Sequence, residues 1–241
     1  KDSIGSGAFD PEGIVQIALR DLRDAVGDDV VLMADLCVDE YTDHGHCGVV
    51  AGEQVQNDAT LENLVRQALT AAHAGVDMIA PSGMMDGMVA ALRGGLDSAG
   101  FEQLPIMSYS TKFASAFYGP FRDAVDSSFK GSRSSYQLDM ANGREALAES
   151  MRDEQEGADI LMVKPGLAYL DVLANIRAHC ARPLAVYQVS GEYAMIKAAV
   201  AAGVMEERAL VLETMMAFRR AGADMILSYY AEDVARWLRA G

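Results

Sequence analysis

Six short apolar runs punctuate the chain, and each leads into polar or chemically active residues. They are VVLMADLC from Val30, AGVDMIAPS from Ala74, LPIMSYS from Leu104, EGADILMVKPG from Glu156, PLAVYQVS from Pro183 and AGADMILSYY from Ala221. The runs from Ala74, Glu156 and Ala221 share one order: a Gly where a helix would stop, then Asp, then an apolar stretch, then polar or aromatic residues. That order predicts helix stop, turn, buried strand and functional end.

Between the runs the period changes. In NDATLENLVRQALTAAHAG, Leu61, Leu64, Val65, Ala68 and Leu69 recur at helical spacing behind a start signal at Asn57 and Asp58. NGREALAESMRDEQEG and EERALVLETMMAFRRAG behave the same way. Strand and helix alternate with no Ser/Pro-rich linker, which predicts one α/β domain over residues 1–241 with parallel strands and right-handed crossovers. The polar strand ends choose its form. Asp35 and Cys37, Ser82, Lys112, Lys164, Ser190 and Tyr229 follow successive runs. An open sheet collects ligands only at its switch point, whereas a barrel brings every strand end to one mouth. The expectation is therefore a TIM-type (β/α)8 barrel, incomplete at its N-terminus because only six βα units are found in this sequence.

Composition narrows the function classes. The 241 residues are 51% apolar, enough for a sizeable core. No apolar run is long enough to span a bilayer, and the opening KDSIGSGAFDPEG lacks the apolar centre of a signal peptide, so a cytoplasmic location and no membrane partner are expected. Three cysteines do not make a disulfide framework. Twenty basic against 35 acidic residues, a formal charge of −15, argues against a sequence-independent grip on nucleic acid.

Three constellations carry candidate chemistry. Lys164 ends an apolar strand and is followed by Pro165 and Gly166. Burial there disfavours the ammonium, so the neutral amine becomes accessible for a Schiff base with a ketone or aldehyde; the alternative is a lysine that emerges and reaches water. Lys112 in MSYSTKFAS occupies the equivalent place after its own strand, and FYGPFR adds Tyr118 and Arg122. The Gly/Ser-rich SSFKGSRSSYQ, residues 127–137, reads as a mobile lid carrying Arg133. Arg122 and Arg133 could clamp a substrate carboxylate or be plain surface charge. In DLCVDEYTDHGHCG, Cys37, Asp39 and Cys47 put soft and hard ligands in one loop, with His44 and His46 between, as a zinc site requires; small core cysteines are the other reading.

The stretches SYSTKFASAFYGPFRDA, ILMVKPG, VYQVSGE and DHGHCG resemble the porphobilinogen synthases, also called 5-aminolevulinate dehydratases, and the resemblance runs from Asp2 to about Trp237. It implies a lyase of tetrapyrrole synthesis that condenses two molecules of 5-aminolevulinate to porphobilinogen with loss of two waters. Lys164 resembles the lysine that holds the first substrate as a Schiff base, and Lys112 the second active-site lysine. Ser190 and Tyr229 match the residues on the first substrate's carboxylate, with Tyr118 and Tyr187 lining its pocket. Arg122, Arg133 and Gln137 match those on the second substrate, and Asp35 and Ser82 match polar groups beside the lysines. Asp35 is the choice for proton transfer.

The resemblance also implies zinc at Cys37, Asp39 and Cys47, an activating magnesium at Glu149 in GREALAE, and a homo-oligomer, an octamer in the family. Zinc-dependent members carry a third cysteine where this chain has Asp39, which predicts a weaker zinc site. APSGMMDGM has Gly83 and Met88 where many members carry Asp and Arg. The family's N-terminal arm and first barrel strands are expected to lie outside this sequence, leaving the strands that end at Asp35 and Tyr229 each short of a neighbour. Two rival readings are a class I aldolase-like lyase using Lys164 alone, and an inactive truncated member that serves only as an assembly partner.

Overall fold

In a computed structural model of the chain, residues 1–52, 54–124 and 133–240 are described. Most of the stretch read as a lid, residues 127–132, lies outside them. All six expected strands form, alternating with helices. The order is α1 (Ile14–Val26), β1 (Met33–Leu36), β2 (Val50–Ala51), β3 (Gln54–Val55), α2 (Asn57–His73), β4 (Met78–Pro81), α3 (Met88–Ser98) and β5 (Met107–Lys112). It continues with α4 (Gly119–Ala124), α5 (Gly143–Glu156), β6 (Ile160–Lys164), α6 (Leu170–His179), β7 (Leu184–Gln188), α7 (Ser190–Ala201), α8 (Glu207–Ala221), β8 (Met225–Ser228) and α9 (Ala231–Arg239). The fold class is α/β of the TIM-barrel type, with its main strands parallel. The short antiparallel hairpin β2–β3 was not foreseen.

The chain divides into two compact units. The first comprises residues 1–109, 127–136 and 152–160. Its β1 runs parallel to β4, pairing Met33 with Met78 through Leu36 with Pro81, and Ile79 bridges to Ile106. Along β1 burial alternates, so Ala34 and Leu36 enter the core while Met33 and Asp35 face outward. Of the apolar residues expected on one face of helix α2, Leu64 and Ala68 are buried while Leu61, Val65 and Leu69 are half-buried; Ala71 and Ala72 join the buried face, and α3 packs against the helix with Val89, Leu92 and Leu96. The same face of α2 also buries Thr60, Asn63 and Gln67, which periodicity alone would assign to solvent. Each donates a hydrogen bond, Thr60 to the Gln56 carbonyl, Asn63 to that of Ile4 and Gln67 to that of Cys37, while the buried Gln67 Oε1 has no partner among the described residues. Asn57 opens α2 where expected, but its side chain binds Asp86 rather than capping the helix.

The second unit comprises residues 110–126, 137–151 and 161–241. It holds a four-stranded sheet in the order β5, β6, β7, β8. Leu161 pairs with Leu184 and Val163 with Val186, and Val186 pairs in turn with Ile226. Among the described residues, β1 and β8 each have one partner strand.

The repeated Gly-x-Asp passages now have a physical account. Gly75, Gly157 and Gly222 all stop a helix at positive φ, 89°, 108° and 115°, a region that side chains resist. The aspartate two residues on then clamps the start of the neighbouring strand. Asp77 accepts from the Leu32 N–H at 2.7 Å, Asp159 from Ile106 at 2.9 Å and Asp224 from Leu184 at 2.9 Å. In each case the aspartate's own N–H donates to the carbonyl of the same residue. The clamp fixes register before the ladder begins, and its donors belong to buried residues.

Asp224→Ala should cost about 1–3 kcal/mol, because it strands a buried N–H, and Asp224→Asn should cost less; thermal unfolding measures both. The Leu32 N–H, then Arg23, hold Asp77 below the usual carboxylate range. Its contribution is therefore full above the unfolded value of 3.8 and fades as pH falls through the lower folded value. The stability gap between the parent and Asp77→Asn should shrink on acidification below that point, and a gap independent of pH would exclude the assignment.

Candidate functional site

In the second unit, β5 and β6 end side by side and deliver two lysines. Lys112 is buried, and its carbonyl accepts from the Leu138 N–H; the Lys164 carbonyl accepts from the Phe113 N–H. The Lys164 Nζ lies 4.3 Å from the Tyr187 ring centroid and 5.6 Å from that of Tyr118. The register accounts for the first contact, since Val163 pairs with Val186 and the next residue on each strand is Lys164 and Tyr187. Tyr118 is fixed from the other side, donating its hydroxyl to the Phe113 carbonyl at 2.9 Å and to that of Lys164 at 3.3 Å. The structure thus brings Lys164, Tyr118 and Tyr187 together.

Ser190 opens α7, and its Oγ accepts from the Phe121 N–H at 3.1 Å. Tyr229 is half exposed, with its ring 5.6 Å from that of Tyr193. The turn carrying it is held by Ser228, whose hydroxyl donates to the Gln188 Oε1 and accepts from the Tyr230 N–H. Gln137 is buried, and among the described residues its Nε2 has no hydrogen-bond partner, which leaves a donor for a ligand oxygen. Arg122 is exposed and donates a long hydrogen bond, 3.4 Å, to the Ser115 carbonyl.

In the first unit, Asp35 accepts from the Ser82 hydroxyl at 2.6 Å and from the Tyr109 hydroxyl at 3.1 Å. Ser82 was foreseen. Tyr109 was not, although it lies inside the SYS triplet of β5.

The metal loop is well organised. Ligand atoms of Cys37, Asp39 and Cys47 all lie within 4.8 Å of one another. Thr42 braces the loop by donating to the Asp39 and His46 carbonyls, and Gly45 makes the turn at a φ of 73°. Tyr136 receives the Cys47 N–H and lies 3.3 Å from the His46 Nδ1. Burial, then His44 and Arg133, hold His46 below its ordinary value. Arg133 donates to the Asp39 carboxylate and to the Gly45 carbonyl, both at 3.0 Å. Both partners of this ion pair are largely buried. Two thiols and a carboxylate at this spacing suit a zinc-like cation, and Arg133 occupies one carboxylate oxygen. Glu149 is half-buried on α5, and among the described residues it belongs to no group of three metal-ligating side chains.

The family model described as delta-aminolevulinic acid dehydratase matches residues 1–237. The delta-aminolevulinic acid dehydratase of Mycobacterium leprae is 54% identical over 239 residues, covering 99% of this chain and 73% of its own. That of Escherichia coli is 54% identical over 234 residues, covering 97% and 72%. Among solved structures, the Toxoplasma gondii ME49 enzyme in complex with its reaction product porphobilinogen superposes with a TM-score of 0.96 at 48% identity, over 98% of this chain and 68% of that one.

Replacing Asp39 by Cys should tighten zinc binding at least about tenfold, since a third thiolate suits the ion better than a carboxylate shared with Arg133. Competition with a chelating dye reads this directly. In the parent, affinity should fall as pH drops, because the thiols must lose protons to bind. Equal affinities in the two proteins would remove Asp39 from the ligand set.

Proposed function

The chain belongs to the delta-aminolevulinic acid dehydratase family, and from that premise we propose how its residues carry out the family's condensation of two 5-aminolevulinate molecules to porphobilinogen. One observation supports the assignment of the nucleophile above others: the Lys164 amine at the end of β6, flanked by the Tyr187 and Tyr118 rings.

Lys164 attacks the ketone carbon of the first 5-aminolevulinate. The carbonyl oxygen leaves as water, with two protons from the amine, and a C=N bond links substrate to protein. The aromatic faces exclude water from that bond and tolerate positive charge on its nitrogen. Ser190 and Tyr229 take the carboxylate of this substrate. Lys112 is the second amine at the same end of the sheet, and Gln137, with its spare N–H, binds the second substrate together with Arg122 and Arg133. Asp35, set by Ser82 and Tyr109, moves the proton lost as the ring becomes aromatic.

Cys37, Asp39 and Cys47 would hold zinc, which when bound would supply Lewis-acid polarisation of a substrate carbonyl. Magnesium at Glu149 and an octameric assembly belong to the same family reading. No described helix is long and apolar enough to cross a membrane, and a cytoplasmic location is part of the proposal.

Borohydride reduction in the presence of 5-aminolevulinate, followed by peptide mass analysis, should place the adduct on Lys164. Lys164→Ala should lower porphobilinogen formation by at least about a thousandfold, since no other group can replace the nucleophile. An adduct on Lys112 alone would reverse the roles of the two lysines.

A further inference from the structure

The first turn of α7 makes contacts that no reacting atom requires. Gly191 lies so close to the backbone of Phe117 that a Cβ there would fall 2.4 Å from its carbonyl oxygen and 2.8 Å from its Cα. Glu192 is buried, 3% exposed, and turns its carboxylate back across the helix start. Its Oε2 accepts from the Val189 N–H at 2.6 Å and from Gly166 at 3.4 Å, and its Oε1 from Leu167 at 2.5 Å.

The Val189 bond is an ordinary service to a helix start, where backbone donors lack partners. The other two are different in kind, because Gly166 and Leu167 form the turn that directly follows Lys164. One carboxylate thus joins that turn to the residue before Ser190. A buried carboxylate is costly unless its oxygens are met, and here backbone donors meet both. Burial pushes the Glu192 carboxyl up, and the Leu167, Val189 and Gly166 donors oppose it.

We propose that Glu192 is a positioning residue for Schiff-base formation: by strapping the turn after Lys164 to the start of α7, it fixes the separation between the amine and the carboxylate-binding Ser190. The proposal rests on the roles given above to Lys164 and Ser190. A keto acid reacts well only when both ends are held at once, so loss of the strap should harm keto acids and spare simple ketones. Glutamine cannot substitute, because its amide N–H would face a backbone donor.

The test is borohydride trapping on the full-length protein with two probes. 4-Oxopentanoate has the carboxylate and ketone of 5-aminolevulinate without its amine; butanone has the ketone alone. The Lys164 adduct is quantified by peptide mass, with thermal unfolding measured alongside. In Glu192→Gln, trapping of 4-oxopentanoate relative to butanone should fall at least about tenfold, the scale expected for a small positional error. An unchanged ratio, including an equal fall for both probes, overturns the proposal, since general loosening of the fold would lower both. If that variant is insoluble, Glu192→Asp, which keeps the charge but is too short to span, is read by the same ratio. The parent protein separates the failures. No adduct on Lys164 with either probe would refute its assignment, and equal trapping of both probes would refute that of Ser190; the proposal falls in either case.

Discussion

A buried backbone N–H must find an acceptor, and this chain repeatedly answers with a carboxylate. At the starts of strands the acceptors are Asp77, Asp159 and Asp224, each bound to the first residues of the neighbouring strand. Beyond the end of β6 the acceptor is Glu192. The chemistry is the same and the consequences differ. An aspartate at a strand start sets register, while the glutamate sets the chain path just after Lys164. The surroundings differ too: Glu192 is buried, where low local dielectric strengthens a satisfied bond and penalises a lost one, while Asp77 and Asp224 are partly exposed.

Much of this was legible in the sequence. All six strands were: three apolar runs are bounded by Gly-x-Asp on one side and polar residues on the other, and the other three lead into polar residues in the same way. Lys164, Tyr187, Asp35 and Ser82 were each named from strand ends or from the family resemblance, but not the contacts between them. The polar side of α2 was not legible. Asn63 and Gln67 sit on the buried face where they reach carbonyls of irregular segments, and Thr60 where it accepts from the Val49 N–H; no periodicity reports on irregular neighbours. Glu192 carried a weak signal, a glutamate in the first turn of a helix, which suggested capping and nothing more. Its bonds to Gly166 and Leu167 join parts of the chain 25 or 26 residues apart.

The metal loop shows the limit of reading ligands by type. Cys37, Asp39 and Cys47 could be named from the sequence as a set of mixed hardness, and the structure brings their ligand atoms together. What the sequence did not show is that Arg133 takes one oxygen of Asp39, so that an arginine matched to substrate binding is also a neighbour of the metal ligands. An arginine in this position favours the ionised carboxylate but competes with a cation for it.

The contact at Gly191 has a consequence for any attempt to alter substrate choice. Because even a methyl group would collide with the Phe117 backbone, position 191, next to Ser190, leaves no room to add volume. A pocket for a longer or bulkier keto acid would have to be carved elsewhere. Tyr229, by contrast, is half exposed on a turn held by Ser228, so the packing there is far less tight than at position 191.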